Sequence, residues 1–147
     1  ATIALSNLKQ ALISARTLAL NKEQFITLCP MTLNICSPDW SQPLRAFVDQ
    51  DQNFKLDENE TVLFSASNEN PNGSWQKKRA NAPYIRFTPQ GHAFSSATTF
   101  LYCPFSENPR SAKQIIINFQ GRIRVSRYLN LNGIPYSATA PLFCGTD

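Results

Sequence analysis

Three arginines lie within the seven residues from Gly121 to Arg127, which read GRIRVSR. Ile123 and Val125 alternate with them, and apolar residues at every second position are typical of a half-buried β-strand. On such a strand Arg122 and Arg124 point to the same side, about 7 Å apart, while the apolar residues face the core. Two guanidinium groups held at roughly one phosphate spacing could bind a nucleic-acid backbone. The alternative for this arginine segment is a solvated strand face without a ligand.

The charged residues are distributed unevenly along the chain. Residues 1–70 contain five basic and eight acidic side chains, a net charge of −3, whereas residues 71–147 contain nine basic and two acidic ones, a net charge of +7. Outside the arginine segment, the basic residues of the second half are Lys77, Lys78, Arg79, Arg86, Arg110 and Lys113. A one-sided basic surface is typical of a protein that binds a polyanion, unless the two halves interleave in the fold.

The sequence offers little for catalysis. His92 is the only histidine, and it lies in the turn-like sequence PQGHAF without a nucleophile motif nearby. A serine or cysteine triad would have to use this residue. No phosphate-binding glycine loop, GxSxG elbow or HExxH zinc motif occurs in the chain. We therefore expect a surface histidine, no cofactor and no enzymatic activity.

An acidic segment has the spacing of a calcium-binding loop. Positions 1, 3, 5, 7, 9 and 12 of the EF-hand pattern are occupied by Asp49, Asp51, Asn53, Lys55, Asp57 and Glu60. Position 6, where the sharp turn needs glycine, is Phe54. The flanking residues have strand rather than helix composition. We therefore expect a solvated hairpin loop from Asp49 to Glu60 and no metal ion.

The four cysteines are Cys29, Cys36, Cys103 and Cys144, and their spacing fits neither a zinc site nor a CxxC redox motif. An even number with one close pair favours disulfides and an oxidising compartment. Three connectivities are possible, and four reduced core cysteines are the alternative. We favour Cys29–Cys36, which closes a short loop, and Cys103–Cys144, which ties down the end of the chain.

Hydrophobic periodicity predicts one helix followed by short strands. Residues 2–22 form the helix, because Leu5, Leu8, Leu12, Ala15 and Ala19 recur at steps of three and four. Besides the arginine segment, strands are predicted at residues 25–29, 44–48, 61–66, 84–88, 93–94, 98–103 and 114–119. Residues 30–43 and 68–82 are predicted to be loops. Trp40 is expected in the core, and Trp75 either in the core or stacked on nucleic-acid bases. The predicted fold class is α+β, with the helix packed on a mainly antiparallel β domain.

The order of these pieces resembles the GspH/FimT family of minor pilins and pseudopilins. The matching pieces are LISARTLALNKEQFITLCP (12–30), the next cysteine with Asp39 and Trp40, AFVDQDQNFKLDENETVLF (46–64), IRFTPQGHAFSSATTFLYC (85–103) and IIINFQGRIRVSR (115–127). Within the family, the FimT branch is most similar, since its members carry a GRxR motif near the C-terminus. Gly121, Arg122 and Arg124 match that motif at the corresponding place.

The resemblance implies a type IV pilin-like fold in a single domain. Residues 1–24 would be the second half of the pilin helix, and residues 25–147 the β-rich head. Family members begin with a hydrophobic segment that anchors them in the inner membrane, and this segment is expected to be missing from the present chain. The implied location is the bacterial inner membrane and periplasm before assembly and the pilus, at its tip, afterwards. Other pilins are the implied protein partners.

The resemblance to the FimT branch further implies binding of extracellular double-stranded DNA for uptake in natural transformation. The primary contacts would be Arg122 and Arg124, with Gly121 as part of the motif. Auxiliary contacts to phosphates are expected from Lys77, Lys78, Arg79 and Arg127. The alternative is a structural minor pilin or pseudopilin, like FimU or GspH, which primes filament assembly without binding DNA.

Overall fold

The computed structural model describes residues 2–49, 56, 60–68, 72–78, 82–93, 98–105 and 113–125. Helix α1 spans Thr2–Lys22, as predicted. It ends where Glu23 adopts a φ of 52° and the amide of Gln24 donates a hydrogen bond to the carbonyl of Ala19 at 3.3 Å. This is the bond of a Schellman cap, which satisfies a carbonyl that the helix leaves unpaired. Among the described residues, no helix is long and apolar enough to span a membrane.

Nine strands follow α1 within the described part of the chain. They are β1 (Ile26–Thr32), β2 (Ile35–Cys36), β3 (Leu44–Val48), β4 (Val62–Ala66), β5 (Gly73–Lys78), β6 (Ile85–Phe87), β7 (Thr98–Pro104), β8 (Lys113–Ile117) and β9 (Ile123–Val125). Two predictions of loops were therefore partly wrong. The expected loop at 30–43 contains the end of β1 and all of β2, and that at 68–82 contains β5. The β5 sequence GSWQKK is too polar to reveal a strand by its composition.

The strands form two sheets in which all the pairs are antiparallel. In the first sheet the order is β2-β1-β3-β4, and β6 also pairs with β1. The second sheet has the order β5-β7-β8-β9, so that β5 and β9 lie at opposite ends of it. This order decides which basic residues can share one surface.

Helix α1 packs on both sheets through its apolar stripe, contacting β1, β6, β8 and β9. Its buried residues are Ala4, Leu8, Ala11, Leu12, Ala15 and Ala19. Trp40 joins the same core, as expected, and meets Phe100 of β7 edge-on with ring centroids 4.7 Å apart. Because each α1 side chain that enters the core is small or a leucine, the helix can lie close to the strands that carry the arginine segment.

The disulfide between Cys29 and Cys36 is confirmed and closes the hairpin of β1 and β2. Leu33 and Asn34 form the turn of this hairpin with φ values of 53° and 63°. Cys103 is also disulfide-bonded. Its predicted partner, Cys144, lies outside the described residues, so the pairing of Cys103 with Cys144 stays a prediction.

Candidate nucleic-acid interface

The arginine segment begins at a tight turn between β8 and β9. The amide of Gly121 donates to the carbonyl of Asn118 at 2.9 Å, and the amide of Asn118 donates to the carbonyl of Arg122 at 3.0 Å. Gly121 has a φ of +87°, so the turn ends in a left-handed residue, the arrangement of a type I turn with a G1 bulge. The amide of Arg122 donates to Oδ1 of Asn118 at 2.8 Å. The backbone of Arg122 is thus fixed on both its donor and acceptor sides.

Arg122 and Arg124 are exposed, whereas Ile123 and Val125 are half-buried. Ile123 packs against the core. This is the alternation that the sequence predicted. Within the described residues, the strand covers Ile123–Val125 and does not include Gly121 or Arg122. Within the described part of the chain, neither arginine forms an ion pair with a carboxylate. A hydrogen-bonded hairpin therefore presents two exposed guanidinium groups that have no carboxylate partner among these described residues.

A second turn of the same design lies beside the first. The amide of Gly91 donates to the carbonyl of Thr88 at 2.8 Å, and the amide of Thr88 donates to the carbonyl of His92 at 2.9 Å. Gly91 has a φ of +81°. The sequences of the two turns are TPQG and NFQG. His92 is exposed at the exit of its turn, as predicted for a surface histidine.

The two turns pack glycine against glycine. A Cβ on Gly121 would lie 2.0 Å from the carbonyl oxygen of Gly91 and 2.9 Å from Nε of Arg16. Arg16, on α1, donates from Nε to the same Gly91 carbonyl oxygen at 2.8 Å. The amide of Ala93 also donates to the carbonyl of Phe119 at 3.2 Å. The arginine hairpin therefore packs against the Gly91 turn through Gly121, the glycine of the GRxR motif.

A groove separates α1 from the start of β9. Its volume is about 360 Å³, and its lining consists of Ile13, Arg16, Thr17, Gly121, Arg122 and Ile123. Arg16 comes from the acidic half of the sequence and was not among the predicted site residues. One signal could have revealed it: α1 carries no aspartate or glutamate that could pair with its arginine.

The two described lysines of the basic cluster, Lys77 and Lys78, do not lie beside the arginine segment. Lys77 and Lys78 belong to β5, at the other end of the second sheet, so about 14 Å separates them from β9 across three strand spacings. Both were expected in an exposed loop, and the ladder of β5 with β7 corrects that prediction. Backbone pairing places Lys78 in one row with Thr99, Ile116 and Arg124. Arg79 and Arg127 lie outside the described residues.

Lys77 faces inward on its strand. It pairs across the sheet with Phe100 of β7, which pairs in turn with Ile115 of β8, and both of these residues are fully buried. Desolvation by this apolar surrounding lowers the pKa of Lys77 from its usual 10.5 to about 8. Trp75, two residues earlier, is 3% exposed and meets Tyr102 edge-on at 5.2 Å. Trp75 thus belongs to the core and is not exposed for stacking on nucleic-acid bases, the other role considered for it.

Arg86 was counted with the basic surface, and the structure corrects this. Its Nη2 lies 2.9 Å from Oδ2 of Asp49, and the two side chains are 1% and 0% exposed. Oγ1 of Thr27 also donates to Oδ2 of Asp49, at 3.1 Å. Arg86 further lies over the ring of Tyr84 at 5.5 Å. A residue of the basic half is thus neutralised by one of the acidic half, so the charge asymmetry of the sequence is partly removed by folding.

The same ion pair changes the interpretation of the acidic loop. Asp49 was expected in solvent as its first residue, but it is buried against Arg86 and is not available as an EF-hand ligand. Of the other residues in the EF-hand positions, only Glu60 is among those that the structure describes. Within the described residues, no three potential metal ligands cluster. The absence of calcium binding remains a prediction.

The architecture matches solved structures of a type IV minor pilin and of a minor pseudopilin. Two crystal structures of the type IV minor pilin FimU from Pseudomonas aeruginosa align with TM-scores of 0.65 at 19% identity. The alignments cover 85% of this chain and 87% of FimU in one crystal form, and 86% and 92% in the other. The minor pseudopilin EpsH of the type 2 secretion system of Vibrio cholerae aligns with a TM-score of 0.58 at 16% identity, over 86% of this chain and 95% of EpsH. These likenesses confirm the type IV pilin-like fold.

Comparison of sequences leads to the same group of proteins. No curated protein sequence matches the chain. The family model of the type II transport protein GspH, however, matches residues 4–121. Its match ends on Gly121, so Arg122 and Arg124 lie beyond it and the FimT branch is not distinguished. Because the match covers most of the 147 residues, the chain belongs to the GspH family.

Proposed function

We propose that this protein is a minor pilin of a type IV pilus that binds extracellular double-stranded DNA for uptake in natural transformation. The observation that carries the proposal is the exposure of Arg122 and Arg124 on a hairpin that packs through Gly121 against Gly91. The carbonyl of Gly91 in turn accepts a hydrogen bond from Arg16 of α1. Within the described residues neither arginine has a carboxylate partner, so phosphate oxygens can replace water around both without breaking an ion pair. Because the hairpin is held in place, little backbone order has to be gained on binding.

Phosphate contacts suffice for this task. Uptake of DNA needs little sequence specificity, and contacts to the backbone position a protein on DNA without reading bases. Arginine suits such contacts because its planar guanidinium can donate two parallel hydrogen bonds to one phosphate. Non-specific sites of this kind have dissociation constants of about 10⁻⁴ to 10⁻⁶ M at physiological salt. Many subunits or repeated encounters would then be needed to hold a long DNA molecule.

The remaining site residues have unequal roles in the proposal. Gly121 acts through its backbone, since it allows the close approach to Gly91. Lys77 is a weaker contact than expected, because it faces the core and loses its charge as pH rises through about 8. Lys78, Arg79 and Arg127 remain auxiliary contacts on the basis of their charge and sequence position.

A structural minor pilin that primes filament assembly without DNA is the second candidate. It is favoured by the likeness to FimU and EpsH and by large apolar side chains exposed on α1, namely Ile3, Ile13 and Leu20. Such side chains can pack against neighbouring pilins. In both candidates the protein would reside in the inner membrane and periplasm before assembly and in the pilus afterwards. Only the first candidate requires Arg122 and Arg124 to face DNA, at the pilus tip.

Titration of a labelled short duplex with the purified domain separates the two candidates. The wild-type logarithm of affinity should fall linearly with the logarithm of salt concentration, with a slope of about −2 to −4. Arg122→Gln with Arg124→Gln should flatten this slope by about two units, one for each lost phosphate contact. The matched control is Lys22→Gln with Arg45→Gln, which removes the same charge from exposed positions elsewhere.

The control pair should leave most of the binding and the slope intact. An equal loss of affinity in both double variants would mean that net charge alone attracts DNA, which contradicts the assignment to Arg122 and Arg124. In cells, the arginine pair variant should assemble pili but lose transformation. Loss of pili with unchanged DNA affinity of the purified domain would favour the structural candidate.

A further inference from the structure

The groove between α1 and β9 brings together two arginines that are distant in sequence. Arg16 and Arg122 both line it, with Thr17 beside Arg16 on the exposed side of the helix. None of the six lining residues is acidic. Neither α1 nor the chain from Lys113 to Val125 contains an aspartate or glutamate. The groove is therefore a concave surface with two positive charges and no negative charge on its own walls.

The hydrogen bonds of Arg16 leave one end of its guanidinium group open. Five N–H groups belong to an arginine side chain, and Arg16 uses the Nε–H for the carbonyl of Gly91. Among the described residues, no acceptor is bonded to its two terminal nitrogens. These nitrogens form a planar fork that fits two oxygens of one phosphate. The bond from Nε to Gly91 fixes the plane of the fork, so less side-chain freedom is lost on binding.

We propose that the groove is a phosphate subsite, in which Arg16 and Arg122 bind one phosphate group of a nucleic-acid backbone. The inference rests on the proposed function and extends it. The DNA surface then does not end at the arginine segment but continues onto helix α1. The groove of about 360 Å³ is open enough to admit a backbone phosphate between helix and hairpin. The competing occupant is an acidic side chain of a neighbouring pilin.

Thr17→Glu tests the subsite without disturbing the bond that holds Gly91. Arg16 itself is a poor test, because its replacement also releases the Gly91 carbonyl and can displace the hairpin. Thr17 is exposed and lines the groove, so a carboxylate there repels phosphate while the helix is preserved. Ser6→Glu is the matched control, since it adds the same charge to an exposed position of α1 about 16 Å away along the helix axis.

At 0.1 M salt, where charges are screened beyond about 10 Å, Thr17→Glu should weaken duplex binding about three- to thirtyfold. Ser6→Glu should change it less than about twofold. Arginine-detected NMR of the wild-type protein supplies an independent readout. The terminal nitrogen signals of Arg16 should shift on addition of the short duplex, while its Nε signal, bonded to Gly91, should shift much less.

Three outcomes would overturn the inference, and they differ in what else they imply. If Thr17→Glu binds DNA like Ser6→Glu and the Arg16 signals do not move, the subsite is wrong while the proposed function stands. If the wild-type domain binds no duplex at low salt, both are wrong. If Thr17→Glu keeps its DNA affinity but prevents pilus assembly in cells, the groove receives a neighbouring pilin instead of phosphate.

Discussion

Gly121 lies so close to Gly91 that a Cβ on Gly121 would approach the Gly91 carbonyl oxygen to 2.0 Å. Both residues end tight turns with positive φ, and the carbonyl between them accepts the hydrogen bond from Arg16. The GRxR motif thus combines two tasks in neighbouring residues. Its glycine fastens the hairpin to the fold, and its arginines, which do not contribute to the core, remain available to a ligand.

Gly121→Ala is therefore expected to destabilise the protein as well as the interface. The alanine would have to occupy a left-handed conformation and displace the Gly91 backbone, and the free energy of unfolding should fall by more than about 2 kcal/mol. Chemical denaturation measures this loss. Phe119→Ala is the control in the same turn, where an exposed side chain should matter by less than about 0.5 kcal/mol. Equal stability of the two variants would contradict the close contact between the turns.

Removal of one partner of the buried ion pair between Asp49 and Arg86 should destabilise the folded protein. Asp49→Ala leaves the charge of Arg86 buried without its carboxylate and should lower the free energy of unfolding by about 3–5 kcal/mol. The double change Asp49→Leu with Arg86→Met removes both charges and should recover most of that loss. Denaturation curves of the three proteins test this, and DNA affinity of the folded double variant should equal the wild-type value. Weakened DNA binding there would show that Arg86 does serve the interface.

Lys77 should make stability depend on pH. Its pKa is about 8 in the folded protein and near 10.5 when unfolded, so the folded state releases this proton first. The unfolded state binds more protons between these values, and stability therefore rises with pH from about 8 to 10.5. Below pH 8 the half-buried ammonium group is charged in both states, so its cost to the free energy of unfolding no longer changes with pH. Lys77→Met should be more stable than wild type at pH 7, and the difference should shrink by pH 10. A constant difference across this range would contradict the lowered pKa.

The predicted bond between Cys103 and Cys144 should be the stronger of the two disulfides. It would close a loop of roughly 40 residues and contribute about 4 kcal/mol, whereas the Cys29–Cys36 loop should contribute about 2.5 kcal/mol. Mass spectrometry of unreduced peptides identifies the pairing. Cys144→Ser and Cys36→Ser, compared by thermal unfolding, rank the two contributions. A peptide pairing Cys103 with any other residue would disprove the connectivity.

The apolar elements of this fold could be predicted from the sequence, whereas the polar strand β5 could not. The bounds of α1 and β3 were predicted as observed. Helix α1 has a stripe of leucine and alanine with helical spacing, and β3 is a short, mostly apolar run. Strand β5 was missed because its position depends on pairing with the distant β7 rather than on its own composition. Local pattern therefore suffices where an element has its own apolar stripe or run, and it fails for a polar strand such as β5.

Arg16, Arg86 and Arg122 show why the site was only partly predictable. The three have the same side chain in different surroundings. Arg16 donates a hydrogen bond to a backbone carbonyl, Arg86 is buried in an ion pair, and Arg122 is exposed. The side chains of Arg16 and Arg86 bond to partners 75 and 37 residues away in sequence. The local bond of Arg122, to Asn118 four residues away, is made by its backbone amide and does not hold its guanidinium group. The glycine of each turn gave a usable signal, since TPQG and NFQG both predict a left-handed final residue. That the two turns face each other could not be deduced without the fold.

The hydrogen bond between Arg16 and Gly91 spans 75 positions of the chain and has a consequence for folding. Contacts of such long sequence separation are entropically expensive to close and form only when most of the topology is in place. An isolated peptide with the sequence of the β8–β9 hairpin would lack both the helix and the second turn that restrain Gly121. Such a peptide would retain the charge of the arginines and lose their fixed spacing. Only the folded subunit holds the backbone positions of both arginines at a fixed spacing.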